Sequence, residues 1–294
     1  MSTKARAELM LFFITFIWGS TFAMGKLVLE QVSPLQMMAL RFVVSSALFL
    51  LFGWHRIFPV SLRAVRKAAF LGVLLFLGFT AQTIGLQLTT ASKSAFITGM
   101  LVIFVPILQI LVERKAPKLG NIFGVAVVAA GLWLLTSPQG GTFSLGDGLT
   151  LICAVLFAGY VIYLDMISSE MTALQLTFIH LAVVGVLSLI ALSMFDSFVL
   201  SVDTGGVAIL AYLTLFSTVL TTLIQTRYQK ETTPTRAAVI FTIEPVVAAL
   251  LAFALLRDQL GFSGVIGGAL IVSGVLVSEL SEGIPMLNRP VIGS

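Results

Sequence analysis

Ten apolar runs of helix length follow one another along this chain, near residues 7–26, 33–53, 68–88, 93–112, 118–136, 146–166, 172–194, 207–228, 234–256 and 261–280. Nothing else in the sequence constrains the fold so tightly. In hydrocarbon every backbone N–H and C=O must be satisfied within the protein, so only helices and closed barrels cross a bilayer. The runs are about twice as long as a barrel strand needs to be, and none alternates with a period of two. Most of the breaks between them are short, which makes successive helices antiparallel neighbours. The expected fold class is therefore all-α: a polytopic membrane protein with ten transmembrane helices.

Composition excludes the competing classes. Of 294 residues, 58% are hydrophobic and 10% charged, against about 25% charged in soluble domains. A water-soluble enzyme, a nucleic-acid binder and a disordered chain all fall away, and the lipid bilayer becomes the first partner. Lys4 and Arg6 precede the first run as in a signal peptide, but that run is too long for one and reads as an uncleaved helix. Cys153, the one cysteine, excludes an intramolecular disulfide and a cysteine-based metal site, and reads as a small packing residue. The polar tail, residues 283–294, is given no structural role.

Charge sets the orientation. With the N-terminus inside, thirteen of the 17 Lys and Arg fall at inside positions, three (Lys26, Lys93, Arg257) outside, and Arg41 within a helix. The positive-inside rule then puts both termini in the cytoplasm. The longest inside loop, Gly53 to Lys67, joins Trp54 and Phe58 to four basic residues and reads as an interfacial segment on anionic lipid.

An internal repeat divides the chain. Thr89-Thr90-Ala91-Ser92-Lys93 matches Thr232-Thr233-Pro234-Thr235-Arg236, 143 residues on, and the same offset pairs Gln82-Thr83 with Gln225-Thr226, Gly124 with Gly267 and Gly131 with Gly274. An offset of 139 pairs Ser33-Pro34-Leu35-Gln36 with Thr172-Ala173-Leu174-Gln175, Arg41 with His180 and Glu8 with Asp147. The expected units are residues 1–142 and 143–282, five helices each. An odd number of spans per unit means that the second enters the membrane inverted, the architecture of secondary transporters with a site near the midplane.

The residues that could carry chemistry are the polar ones at depth. Glu244 lies about ten residues into its run, ~15 Å deep, where a charge is costly unless it faces a cavity or a partner. Pro245 beside it cannot donate to the Phe241 carbonyl, which predicts a kink and a free acceptor. His180 could couple proton movement, its reference pKa being ~6.5, or bond as a neutral ring across helices. Gln82, Thr83 and Gln225 offer amide and hydroxyl groups to a polar solute. Trp18, Phe79, Tyr160 and Tyr163 offer apolar walls with polar handles. Gly120-xxx-Gly124 and Gly264-xxx-Gly268 permit close helix packing within the chain or a dimer face, so a monomer and a homodimer are both open.

Enzyme motifs are missing. Gly19 to Lys26 has the wrong spacing and ending for a phosphate loop, His55 and His180 form no zinc motif, and there is no GxSxG elbow. No cofactor, no metal and no catalytic residue is expected.

Trp18-Gly19-Ser20, Arg41 before an apolar run, the passage Gly85 to Ser92, Pro106 and Pro245 in the fourth and ninth helices, and Asp258 followed by Gly267 and Gly274 together resemble EamA-type transporters of the drug/metabolite transporter (DMT) superfamily. The resemblance covers residues 6–280. Phe157 stands where the second repeat often has tryptophan, Asp258 replaces a glutamate, and Pro106 lies one turn later than Pro245 in its repeat. The resemblance implies ten helices in the inner membrane and movement of small organic metabolites or drugs, usually outward. It favours Trp18 and Tyr160 as substrate contacts and gives Arg41 a mainly structural role. The expected function is alternating-access export of a small-molecule substrate. Glu244, His180, Arg41, Pro106 and Pro245 are the candidates for coupling or gating, and protons the candidate coupling ion. A non-transporting solute sensor or assembly module is the alternative, and an intramembrane enzyme has only the mid-membrane acid in its favour.

Overall fold

The computed structural model describes residues 2–114, 117–136, 143–197, 201–257 and 262–281. These are helical throughout apart from short turns. In order they form α1 (Thr3–Val28), α2 (Pro34–Ile57), α3 (Leu62–Leu88), α4 (Ala91–Gly99), α5 (Leu101–Glu113), α6 (Leu119–Thr136), α7 (Leu145–Ile167), α8 (Ala173–Phe195), α9 (Thr204–Thr214), α10 (Thr221–Tyr228), α11 (Pro234–Phe241), α12 (Ile243–Leu256) and α13 (Phe262–Leu280). A π-helical turn, Leu215–Leu220, joins α9 to α10. Eight helical stretches are long and apolar enough to cross a membrane, three of them built from consecutive elements: Ala91–Glu113, Thr204–Glu231 and Pro234–Leu256. Two shorter apolar stretches, Leu119–Leu134 and Val265–Ser278, lie in α6 and α13. Asp258 and the 283–294 tail fall outside the described residues.

The repeat seen in the sequence is a repeat of helix punctuation. Ser33 and Thr172 each form a capping box, with Gln36 and Gln175, at the starts of α2 and α8. Thr90 and Thr233 cap α4 and α11 by accepting from the N–H of Lys93 and Arg236. Arg114 and Arg257, 143 residues apart, end α5 and α12 in the left-handed region, with φ of 56° and 58°. Ser33→Ala removes the oxygen that receives the Gln36 N–H. It is expected to cost about 1 kcal/mol, read as a lower thermal-unfolding midpoint in detergent.

The fourth and ninth apolar runs are each broken. The breaks fall at Met100 and Thr242, whose N–H groups turn back to Ile97 and Val239. Pro245 lies in the first turn of α12, where a missing N–H is tolerated, while Pro106 lies further into α5. Gly99, at the end of α4, packs against the Pro245 ring, so the two breaks meet.

The basic segment after α2 is more helical than expected. Only residues 58–61 separate α2 from α3, because Arg56, Arg63, Arg66 and Lys67 ride on helix ends instead of in a loop. Gln175 holds the turn by donating to the Ile57 carbonyl at 3.0 Å.

The two halves interlock. α1 packs on α10, α11 and α12; α2 on α8; α3 on α7 and α8; and α6 on α13. The α6–α13 seam is the tightest. A Cβ on Gly124 would lie 2.8 Å from the Gly274 carbonyl oxygen, and one on Gly131 would lie 2.7 Å from that of Gly267. Numbers rise along one helix as they fall along the other, so the pair is antiparallel. Exchanging each glycine for its repeat partner exchanges the two contacts. Gly124 is thus used inside the chain, as close helix approach requires. In α2 and α8, Gly53 meets Leu174 and Gly185 meets Phe42, again antiparallel. Phe13, Phe52, Trp133 and Phe253 point outward from the bundle and form part of the apolar exterior a bilayer would cover.

Candidate functional site

A cavity of about 70 Å³ lies between the halves, room for a few waters. Its lining follows the repeat. Trp18 and Phe157, and Thr21 and Tyr160, are partners at an offset of 139; Phe79 and Thr222, Gln82 and Gln225, Thr98 and Phe241, and Leu101 and Glu244 are partners at 143. Arg41, Leu75 and Val161 complete it. The same positions of two related units therefore face one another across a shared space.

Aromatic rings build the walls. Trp18 meets Phe241 edge-on at 5.2 Å, and Phe79 meets Phe157 at 5.2 Å and Phe42 at 5.1 Å. The Trp18 indole N–H donates to Thr221 Oγ1 at 2.9 Å, which fixes the ring against the C-terminal half. Gln82 donates to Thr98 Oγ1 at 3.3 Å. Gln225 donates to Gln229, which in turn donates to the Val161 carbonyl at 2.7 Å.

Arg41 and Glu244 are the ionisable groups of the lining. Arg41 is 5% exposed. Its Nη2 donates to Ser217 Oγ at 2.8 Å and its Nε to Thr218 Oγ1, while the guanidinium lies 5.0 Å from the Phe79 ring centroid. Ser217 and Thr218 belong to the π-helical turn, a feature that often marks functional sites. Glu244, second residue of α12, lies just past the break at Thr242. Among the described residues none donates a hydrogen bond to its carboxyl group. Its repeat partner is Leu101, so one wall carries an acid where the other carries a hydrocarbon.

Trp18, Phe79, Gln82, Tyr160, Gln225, Glu244 and Arg41 thus come together from the sequence candidates. Others stand apart. Thr83 is buried on another face of α3. Tyr163 packs edge-on against Phe70 at 5.0 Å, away from the cavity. His180, fully buried, donates from Nδ1 to the Leu176 carbonyl at 2.6 Å and reaches the cavity only through Tyr160, whose hydroxyl is 3.5 Å from Nε2. Pro106 and Pro245 lie at or near the breaks, outside the lining. Thr21, Leu75, Thr98, Leu101, Phe157, Val161, Thr222 and Phe241 are lining residues outside the sequence candidates, and the repeat offsets lead from the candidates to four of them: Thr21, Leu101, Phe157 and Thr222.

The sequence profile of the EamA-like transporter family matches residues 5–137 and 144–280. A protein of Archaeoglobus fulgidus described as an uncharacterized transporter is 30% identical over 276 residues, covering 93% of this chain and 86% of its own. The uncharacterized inner membrane transporter YedA of Escherichia coli is 26% identical, covering 92% of this chain and 90% of its own. One solved crystal structure has the same fold, with a TM-score of 0.77 at 18% identity, over 94% of this chain and 97% of the other.

Proposed function

The chain belongs to the EamA-like transporter family, and from that premise we propose that it is a secondary transporter exporting small organic solutes by alternating access. One observation carries the reading: the cavity is lined by repeat-related residues of both halves. Two equivalent walls around one site can exchange conformations with little change in energy, which offers the site to each side in turn. On this reading residues 1–142 and 143–282 are inverted five-helix repeats forming ten spans. The antiparallel courses of α2 against α8 and α6 against α13 support the inversion, because each pair joins repeat-equivalent helices. The excess of basic residues at inside positions supports cytoplasmic termini. The inner membrane is the matching location, by similarity to YedA.

The lining suits a small amphipathic solute with an acidic or basic group. Arg41 offers a cation, Glu244 a carboxyl group, the two glutamines neutral polar groups, and the rings a face for hydrocarbon. A volume of about 70 Å³ holds little more than water, so the walls must part to admit cargo. Glu244, with no donor committed to it, is the natural place for a proton to exchange with cargo. His180 is already held by its own helix and screened by Tyr160.

Solute counterflow in proteoliposomes, with and without a pH gradient, tests this. Glu244→Gln is expected to slow exchange about tenfold, equivalent to ~1.4 kcal/mol, and to abolish the response to the gradient. Unaltered exchange in that variant would remove Glu244 from the site. Gradient-independent exchange by the parent protein would leave a uniporter. A solute that raises the unfolding temperature but is never carried would favour the sensor reading.

A further inference from the structure

Two ion-pair clusters stand at opposite ends of the bundle, outside the cavity, and they are copies of each other. In one, Asp147 on α7 accepts from Thr89 Oγ1 at 2.6 Å and pairs with Lys93 Nζ at 3.2 Å. In the other, Glu8 on α1 accepts from Thr232 Oγ1 at 3.1 Å and pairs with Arg236 Nε at 2.9 Å, with Lys4 Nζ at 3.9 Å. The acids are repeat partners at an offset of 139, the threonines and the cations at 143. Each cluster joins the halves crosswise: an acid of one to a threonine and a cation of the other. In each, one partner's side chain is only 2% exposed.

Their separation follows from α1. Glu8 lies near its start, while Lys26 near its end donates to the carbonyls of Leu86, Gln87 and Thr89, beside the other cluster. Eighteen residues of unbroken helix, ~27 Å at 1.5 Å per residue, separate the two, close to the ~30 Å of a hydrocarbon core. Between them lie the cavity residues Trp18 on α1, Gln82 on α3, Tyr160 on α7 and Glu244 on α12, just past the end of α11.

We propose that Glu8–Thr232–Arg236 and Asp147–Thr89–Lys93 are the two gates of the transport cycle, each holding one end of the bundle shut and broken in turn to admit solute from that side. The assignment rests on the alternating-access reading and adds to it which residues close each end. Both pairs are formed in this structure. Neutralising one acid weakens one end alone and shifts the population toward the state open there. Glu8→Gln keeps an acceptor for Thr232, and Asp147→Asn keeps one for Thr89 while replacing the oxygen that receives Lys93 and the Ser144 N–H.

The test reads the accessibility of the cavity. In a Cys153→Ala background a reporter thiol is introduced by Leu101→Cys, and its reaction with a membrane-impermeant maleimide is timed in vesicles of each orientation. Glu8→Gln is expected to raise labelling at least tenfold from the side of the N-terminus and lower it from the other. Asp147→Asn is expected to do the reverse. The charge-exchanged pair Glu8→Lys with Arg236→Glu is expected to return both rates toward the parent values; failure of the exchanged pair to do so, in folded protein, counts against the gate. Rates within twofold of the parent in both single variants, or a rise on the same side in both, would overturn the assignment. Labelling needs no solute. A parent protein that shows no counterflow across a solute panel would remove the transporter reading, with the gates still judged by accessibility.

Discussion

Gly131→Leu is expected to leave no folded protein. A single added carbon at this position would lie 2.7 Å from the Gly267 carbonyl oxygen and 2.8 Å from the Ile271 nitrogen, and both are backbone atoms that no rotamer change can move. The helices must separate, and with them the matching contact of Gly124 with Gly274. Overpacking typically costs about 1–3 kcal/mol, the range expected for Gly131→Ala. Leucine adds three further carbons to the same seam and takes the loss toward the ~5–15 kcal/mol that holds an ordinary domain together. Size-exclusion profiles and thermal melts in detergent measure this. Gly159→Ala, where a Cβ meets nothing within 4 Å, is the control and is expected to be neutral or stabilising, since alanine is the better helix former by ~0.8–1.0 kcal/mol. A monodisperse, parent-like Gly131→Leu protein would mean that α6 and α13 do not meet as described.

Arg41→Met is expected to cut solute exchange 10- to 100-fold in protein that stays folded. Hydrogen bonds to a charged group are worth ~1.5–3 kcal/mol, and each ~1.4 kcal/mol is tenfold in rate. Stability should move the other way or not at all, because a buried charge contributes little net stability and an apolar side chain of similar volume often does better. Thr218 keeps another contact, its hydroxyl donating to the Leu213 carbonyl at 2.8 Å, while Ser217 Oγ loses the bond it accepts from Arg41 and is free to rotate toward its own helix. Arg41→Lys should fall between, since a point charge cannot bridge both hydroxyls as the planar guanidinium does. Counterflow and the unfolding midpoint, measured together, separate the two roles. A lower midpoint with exchange in proportion to folded protein would make Arg41 a structural residue.

How much of this was legible beforehand depended on polarity. A carboxylate, a guanidinium or an amide inside an apolar run is costly, so Glu244, Arg41, Gln82 and Gln225 stood out and all four line the cavity. Leu101, Phe157 and Phe241 are apolar residues among apolar residues, and nothing local distinguishes them from lipid-facing or packing positions. The repeat offsets carry that information: from Trp18 they lead to Phe157, from Phe79 to Thr222, and from Glu244 to Leu101. Thr83 was misleading for the opposite reason, since it neighbours Gln82 in sequence but a helix turns about 100° per residue. Eight of the apolar runs coincide with helical stretches long enough to cross a membrane, and the repeat-matched Ser33 and Thr172 cap the starts of two of them. The π-helical turn left no mark, because one extra residue in an apolar run changes no pattern, yet it supplies both hydroxyls that hold Arg41.

The break at Thr242 sets Glu244 at the joint of a divided helix, with the Pro245 ring resting on the corresponding joint at Gly99. A lever responds most directly to a load applied at its fulcrum. On the proposed function, protonation or ligation of this carboxyl would act where the two short rods meet, with no relay of side chains to cross. Chemical occupancy and mechanical bending would then share one address.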